Sequence, residues 1–380
     1  MRKDATLFAA MAVAAAGALA SASDPNVPGS IEALGERLFF DVNLSANRTQ
    51  SCASCHDPAA GFADPRGMAS QGDDGVSLGD RNAPTASYAA LTPEFHRNAD
   101  GDRIGGQFLD GRAATLEEQA GGPPLNPIEM GMPDKASVLA RLREDPVYVA
   151  AFATLFGNAV LEDVEQGYAA MTDAIAAFER TDLFSPFDSK YDRFLRGEAI
   201  LTLQEEKGRQ LFFSDRDANC NQCHQLAETE NDPRETFTDY RYHNIGVPEN
   251  RALREMNGVK KGRIDLGLGG NPKVGKDRRQ IGRFRTPTLR NVAVTGPYMH
   301  NGVFEDLRTV MLFYNQFNTL DPKRRTNPET GKPFRMPQMP MTLAVKELTF
   351  GPEHDDDQID ALVAFLKTLP DARYEHLLEE

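Results

Sequence analysis

The 380-residue sequence predicts a mainly α-helical chain in two similar halves, with long ordered loops joining short helices. Three observations carry this. A Cys-x-x-Cys-His motif occurs twice, as Cys52-Ala53-Ser54-Cys55-His56 and as Cys220-Asn221-Gln222-Cys223-His224. A similar hexapeptide precedes each copy, Gly35-Glu36-Arg37-Leu38-Phe39-Phe40 and Gly208-Arg209-Gln210-Leu211-Phe212-Phe213. Each half then closes on apolar residues at helical spacing: Tyr168, Met171, Ile175 and Phe178 in the first, Ile359, Leu362, Val363 and Leu366 in the second. Strand-like alternation is scarce.

Residues 1–22 open with Arg2 and Lys3, continue through an alanine-rich apolar run and end at Ala20-Ser21-Ala22. That is the pattern of a secretory signal peptide with its cleavage site, although a buried N-terminal helix would read similarly. No later run is long and apolar enough to span a membrane. The formal net charge of −14 argues against nucleic acid and anionic membranes as partners, and suits a basic protein or simply solubility.

In the first half, the helix holding Leu38-Phe39-Phe40 is expected to pack that end on the group held by Cys52, Cys55 and His56. A lone Cys-x-x-Cys is compatible with zinc, a redox dithiol or a disulfide. Two copies, each followed by histidine and together using all four cysteines, are the spacing of c-type haem attachment. The two thiols meet the two vinyl groups of one haem, and the adjacent histidine lies under the iron. Export fits such attachment, which in bacteria occurs outside the cytoplasm. Thr115 and Glu118 form a capping-box pattern, so a helix carrying Gln119 is predicted, broken at Gly121-Gly122-Pro123-Pro124. Glu129, between Ile128 and Met130 in the loop that follows, is a candidate proton shuttle or else an ordinary solvated glutamate.

The seam between halves is predicted near Ser185-Pro186. It divides an N-terminal domain, residues 23–184, from a C-terminal one, residues 185–380. In the second domain a helix from about Glu305 places Leu307, Val310, Met311 and Tyr314 on one face, toward the second haem. Met311 or Tyr314 is then a possible distal ligand, and both are equally well core residues.

These motifs, with the segment from Gln107 to Glu129, Thr286-Pro287-Thr288-Leu289-Arg290-Asn291 and Pro297-Tyr298-Met299-His300-Asn301-Gly302, resemble the bacterial dihaem cytochrome c peroxidase and MauG superfamily over nearly the whole chain. The resemblance implies two cytochrome c-like domains, each enclosing one haem c, with a calcium ion between them. The haem on Cys52, Cys55 and His56 would be peroxidatic, with Glu129 as distal acid–base and Gln119 and Pro123 lining its pocket. The haem on Cys220, Cys223 and His224 would transfer electrons. Calcium would be held by the Asn82 side chain and the carbonyls of Thr295 and Pro297, an oxygen set that suits it.

Two departures point to the MauG-like branch. The distal position on the second haem falls on Tyr314, where the reductively activated peroxidases have methionine; a tyrosine oxygen stabilises oxidised iron. No histidine lies between Asp57 and Phe95, so the first haem is expected to be open, with His96 the only nearby rival. Leu109 and Ala218 stand where MauG has tryptophans, and the chain has no tryptophan at all. This likens it to the MbnH-type enzymes that accompany copper-binding proteins and oxidise a partner's tryptophan to kynurenine. The implied function is a periplasmic enzyme that reacts with hydrogen peroxide, reaches a bis-Fe(IV)-like state and oxidises a tryptophan of a partner protein. The alternatives are a cytochrome c peroxidase fed by a small cytochrome or cupredoxin, and a dihaem electron carrier. His243, His300, His354 and His376 are expected at surface or structural positions, with a role near the haem least unexpected for His300.

Overall fold

The structure, a computed structural model, describes residues 25–226 and 231–378; the signal peptide expected at residues 1–22 lies outside them. Among the described residues eleven α-helices follow in order: α1 (Ile31–Phe39), α2 (Leu116–Ala120), α3 (Lys135–Arg143), α4 (Pro146–Phe156), α5 (Val164–Glu179), α6 (Lys190–Leu195), α7 (Leu203–Phe213), α8 (Arg251–Asn257), α9 (Leu307–Asn315), α10 (Val345–Leu348) and α11 (Asp356–Leu366). The strands described are three antiparallel two-residue pairs, of which Tyr242–His243 with Phe284–Arg285 matters below. Among the described residues no helix is long and apolar enough to cross a membrane.

The repeated hexapeptide explains itself in the packing. α1 crosses α5 at Gly35, where an added Cβ would stand 1.9 Å from the Ala174 carbonyl oxygen. α7 crosses α11 at Gly208, where it would stand 1.9 Å from the Ala361 carbonyl oxygen. Only glycine lets two helix backbones approach so closely. The aromatic residues behind each glycine repeat as well. Phe39 meets Phe62 and Phe178 edge-on with ring centroids 6.3 and 5.5 Å away. Phe212 meets Phe237 and Phe365 at 5.9 and 5.2 Å. The expectation that the whole Leu-Phe-Phe end turns inward fails at Phe40, which caps α1 and is 45% exposed. Each residue of a helix is turned about 100° from the last, so Phe39 and its neighbour cannot both face the core.

Buried apolar residues form one cluster running from Leu34 to Phe184 and two others between Tyr191 and Leu369. Polar ties hold the segments together. The Tyr88 hydroxyl donates to Asp371 at 2.5 Å, and the Asn291 amide donates to the other oxygen of that carboxylate at 2.9 Å. Arg290, fully buried, donates to Asp192 of α6 at 2.5 Å and to the Glu235 carbonyl.

α2 starts as predicted: the Thr115 hydroxyl accepts from Glu118 N at 3.2 Å. The box is only half closed, because the Glu118 carboxylate takes Ala114 N and Lys273 instead. α9 starts two residues later than expected, where Asp306 caps it by accepting from Arg308 N.

Candidate active site

Both Cys-x-x-Cys-His motifs form a single 3-10 turn, Cys52–Ser54 and Cys220–Gln222. In each, the histidine amide returns to the first cysteine's carbonyl, at 3.0 Å for His56 and 2.8 Å for His224. In each, imidazole Nδ1 lies against a backbone carbonyl, that of Phe62 at 3.2 Å and of Phe237 at 3.0 Å. A carbonyl only accepts, so Nδ1 carries the proton and Nε2 is left as the nitrogen for iron. Phe62 and Phe237 are completely buried and left-handed, with φ of 54° and 55°. A bulky residue adopts that conformation at a cost of about 1–2 kcal/mol, accepted here to aim the carbonyl.

The Thr286–Asn291 stretch serves the second of these carbonyls. Thr238 donates to the Thr286 carbonyl at 2.7 Å, Thr288 donates to the Thr236 carbonyl at 2.7 Å, and Arg290 holds the Glu235 carbonyl. The loop presenting Phe237 to His224 is thus fixed from three sides.

Both motifs open on one cavity of about 890 Å³. All four thiols are free, and burial pushes Cys220 up to about 12 and Cys52 higher still. Paired thiols, an imidazole with Nε2 available and an aromatic wall behind each are the fittings of two thioether-bound haems. Cys223, Asp239 and His243 bring ligand atoms within 4.8 Å of one another, but Cys223 belongs to the repeated motif, and a thioether bond to haem would occupy its sulfur.

Glu129, Gln119 and Pro123 line this cavity together, as the resemblance implies. Burial raises the Glu129 carboxyl above its ordinary range, against the opposing pull of Arg112 and Asn126. Its flanks differ in burial: Met130 is buried, whereas Ile128 is 43% exposed, and both line the cavity. His96 is exposed, donates from Nδ1 to the Glu94 carbonyl 2.8 Å away, and is no part of the cavity wall.

Leu307, Val310, Met311 and Tyr314 all face the cavity from α9. Burial, with the Cys223 and Cys220 thiols nearby, pushes the Tyr314 hydroxyl well up. The hydroxyls of Tyr88, Tyr148, Tyr168, Tyr240, Tyr242 and Tyr374 all have hydrogen-bond partners. Among the described residues, those of Tyr314 and Tyr298 have none. Asn82, Thr295 and Pro297 also share the wall. Asn82 N donates to the His300 carbonyl at 2.8 Å, and the carbonyls of Thr295 and Pro297 accept no backbone hydrogen bond among the described residues. Such free carbonyls fit a calcium ion.

Of the remaining histidines, the cavity wall holds His300, the expected exception, and also His243 and His354, for which surface or structural positions were expected. His300 stacks on Phe284 with ring centroids 3.7 Å apart and, with His243 and His354, lines the cavity; His376 is exposed. Spacing gave no sign of this, because loops rather than helices carry them. Also unforeseen were the Phe62 and Phe237 carbonyls, and two charged residues of the wall, Arg285 and Glu179. Burial pushes the Glu179 carboxyl up to about 8. Phe62 and Phe237 lie at different distances from their motifs, which hid the repeat; the adjacent Thr-Pro-Thr-Leu-Arg-Asn stretch was the available clue to Arg285.

The two attachment sites and their shared cavity define a dihaem c-type oxidoreductase. A profile described as di-haem cytochrome c peroxidase matches residues 30–200. The methylamine utilization protein MauG of Paracoccus denitrificans is 54% identical over 356 residues, 92% of this chain and 91% of that one. Among solved structures, the diheme peroxidase BthA of Burkholderia thailandensis superposes with a TM-score of 0.81 at 34% identity, covering 92% of this chain and 88% of that one. A MauG-like protein associated with microbial copper homeostasis gives 0.66 at 30% identity, covering 92% and 93%. The chain belongs to the di-haem cytochrome c peroxidase and MauG family.

Proposed function

We propose that this is a periplasmic MauG-like enzyme that reduces hydrogen peroxide with electrons taken from a tryptophan of a partner protein. The bound haems would supply the redox chemistry, accepting two oxidising equivalents from peroxide and withdrawing two electrons from the partner. Glu129 would take the proton of the incoming peroxide and return it to the departing oxygen, a task for which a carboxyl raised by burial is suited. Gln119 and Pro123 would shape the pocket around that oxygen. The observation that carries the reading over a reductively activated peroxidase is Tyr314. Its hydroxyl faces the cavity beside Cys220 and Cys223 without a hydrogen-bond partner among the described residues, in reach of the role of distal ligand. His96, exposed and bonded elsewhere, leaves the first haem open. Asn82, Thr295 and Pro297 would hold calcium between the domains at residues 23–184 and 185–380.

The 54% identity with MauG, against 30% for the copper-associated protein, weighs toward a partner in methylamine utilisation. Leu109 and Ala218 imply that charge passes between the haems, and out to the partner, without tryptophan.

One equivalent of hydrogen peroxide added to the fully oxidised protein tests the reading. A prompt change in the optical and Mössbauer spectra of both haems, without prior reduction, is the expected result. No reaction until one haem is reduced would instead make this a peroxidase supplied by a small cytochrome or cupredoxin. Tyr314→Met should convert the second haem to a His/Met spectrum. If that spectrum is unchanged, Tyr314 is not the ligand and Met311, one turn earlier on α9, takes its place.

A further inference from the structure

Two arginines on or near the cavity, the buried Arg290 and the half-buried Arg81, are fully paired. Arg290 has Asp192 at 2.5 Å. Arg81 bridges Asp110 and Asp265, each at 2.7 Å. Arg285 is different. It is 9% exposed, yet its guanidinium makes only two long contacts to uncharged oxygens, the Phe108 carbonyl at 3.4 Å and the Thr92 hydroxyl at 3.5 Å. Among the described residues no carboxylate lies within ion-pair distance of it. Its surroundings are the rings of Tyr240 and Tyr242, and burial holds the guanidinium below its usual range.

Leaving a guanidinium buried and unpaired costs several kcal/mol, and native chains rarely do so. The side chain is not stranded by accident of a loose loop. Its backbone pairs with Tyr242 across a two-stranded ribbon, and its amide donates to the Leu109 carbonyl at 2.9 Å. That last bond joins the first half of the chain to the second at Leu109, where the resemblance puts the tryptophan that stands between the haems in MauG. The group faces the cavity that both motifs open on.

We propose that Arg285 is the anchor for a propionate carboxylate of one of the two haems. Each haem brings two carboxylates into the cavity, and no other resident of that cavity need be anionic. Peroxide is neutral, and a partner's carboxylate cannot reach a residue enclosed this far. A guanidinium meets a carboxylate with two parallel N–H···O bonds, which fixes the edge of the macrocycle as well as neutralising it. The cation also favours the reduced iron beside it, and so sets the potential on one side of the gap that tryptophan bridges in MauG.

The inference rests on the dihaem reading, and the test separates the two. Intact mass and haem content of the exported wild-type protein establish whether two haems are attached; a chain without them removes the reading itself. Given two haems, potentiometric titration of Arg285→Gln should show one midpoint lowered. The expected size is a tenfold change in the reduced-to-oxidised ratio, about 59 mV for a one-electron couple. Arg285→Lys, which keeps the charge, should recover most of the shift. A fully loaded Arg285→Gln protein with both midpoints unchanged would overturn the assignment. Should that variant fail to load, a crystal structure of the wild-type holoprotein decides. A propionate oxygen within about 3.2 Å of the guanidinium upholds the proposal, while water, a small anion or nothing there sinks it.

Discussion

Glu129→Gln should lower the rate of reaction with hydrogen peroxide by about 10²–10⁴-fold, the span that a positioned general base contributes. The substitution keeps the shape of the side chain and removes only its ability to take a proton. Both haems should remain attached, because Glu129 is remote in sequence from either Cys-x-x-Cys-His motif and its backbone bonds to Asn126 and Asp73 are untouched. The pH profile carries a second signature. The base must be ionised to act, and burial raises this carboxyl above the ordinary 4.5. The wild-type rate should therefore fall as pH drops through a value above 4.5, and that acid limb should vanish in the variant. Stopped-flow mixing of the oxidised protein with peroxide across pH 4–9 measures both. A Glu129→Gln protein that reacts as fast as wild type would remove Glu129 from the chemistry and leave the electron-carrier reading standing.

Gly208→Ala should destabilise the protein by about 3 kcal/mol, in the upper range for overpacking. Two effects oppose each other. Alanine is the better helix former by about 1 kcal/mol, so on an exposed helix this change would stabilise. Here the new methyl would stand 1.9 Å from the Ala361 carbonyl oxygen and 2.9 Å from Phe365 Cβ, and α7 and α11 must separate to admit it. Backbone cannot rotate out of the way as a flexible side chain can, so the clash prevails. Gly35→Ala should act alike through Ala174 and Phe178, and Gly29→Ala, with nothing within 4 Å of its Cβ, is the control. Thermal unfolding of the haem-loaded proteins gives the comparison. Equal melting temperatures for Gly208→Ala and Gly29→Ala would show that the helix crossing yields more easily than this geometry allows.

Those two glycines also show what a sequence makes legible. Gly35 and Gly208 head a repeated hexapeptide, and the closing helices α5 and α11 stand out by apolar periodicity, because helix packing leaves a mark every three or four residues. The haem motifs are legible for the same reason, since attachment demands fixed local spacing. Glu129 stood out locally only as one of two readings, a proton shuttle or a solvated glutamate, and the choice between them, with the roles of Gln119 and Pro123, came from the resemblance. Phe40 shows the limit of periodicity at a helix end, where one residue decides between core and solvent. The loops hold the rest. Arg285, His243 and His300 reach the cavity through ribbons and left-handed turns whose partners lie far away in sequence. A buried arginine without a carboxylate is visible only once all its neighbours are placed.

The left-handed phenylalanines that receive the two imidazole N–H groups have a consequence for how the halves could have diverged. Each socket holds its histidine by the same kind of bond, at 3.2 Å and 3.0 Å, and each carbonyl belongs to a fully buried ring at nearly the same backbone angle. Both bonds hold the proton on Nδ1, so the same ring nitrogen, Nε2, is offered to iron on the two sides. The division of labour between the irons then has its visible source above and around them. One socket faces a glutamate, a glutamine and a proline; the other faces a tyrosine and a methionine on a helix. A duplicated module of this kind acquires two chemistries by changing its lid while its seat stays the same. Grafting one lid onto the other seat is the direct way to move a reactivity across the molecule.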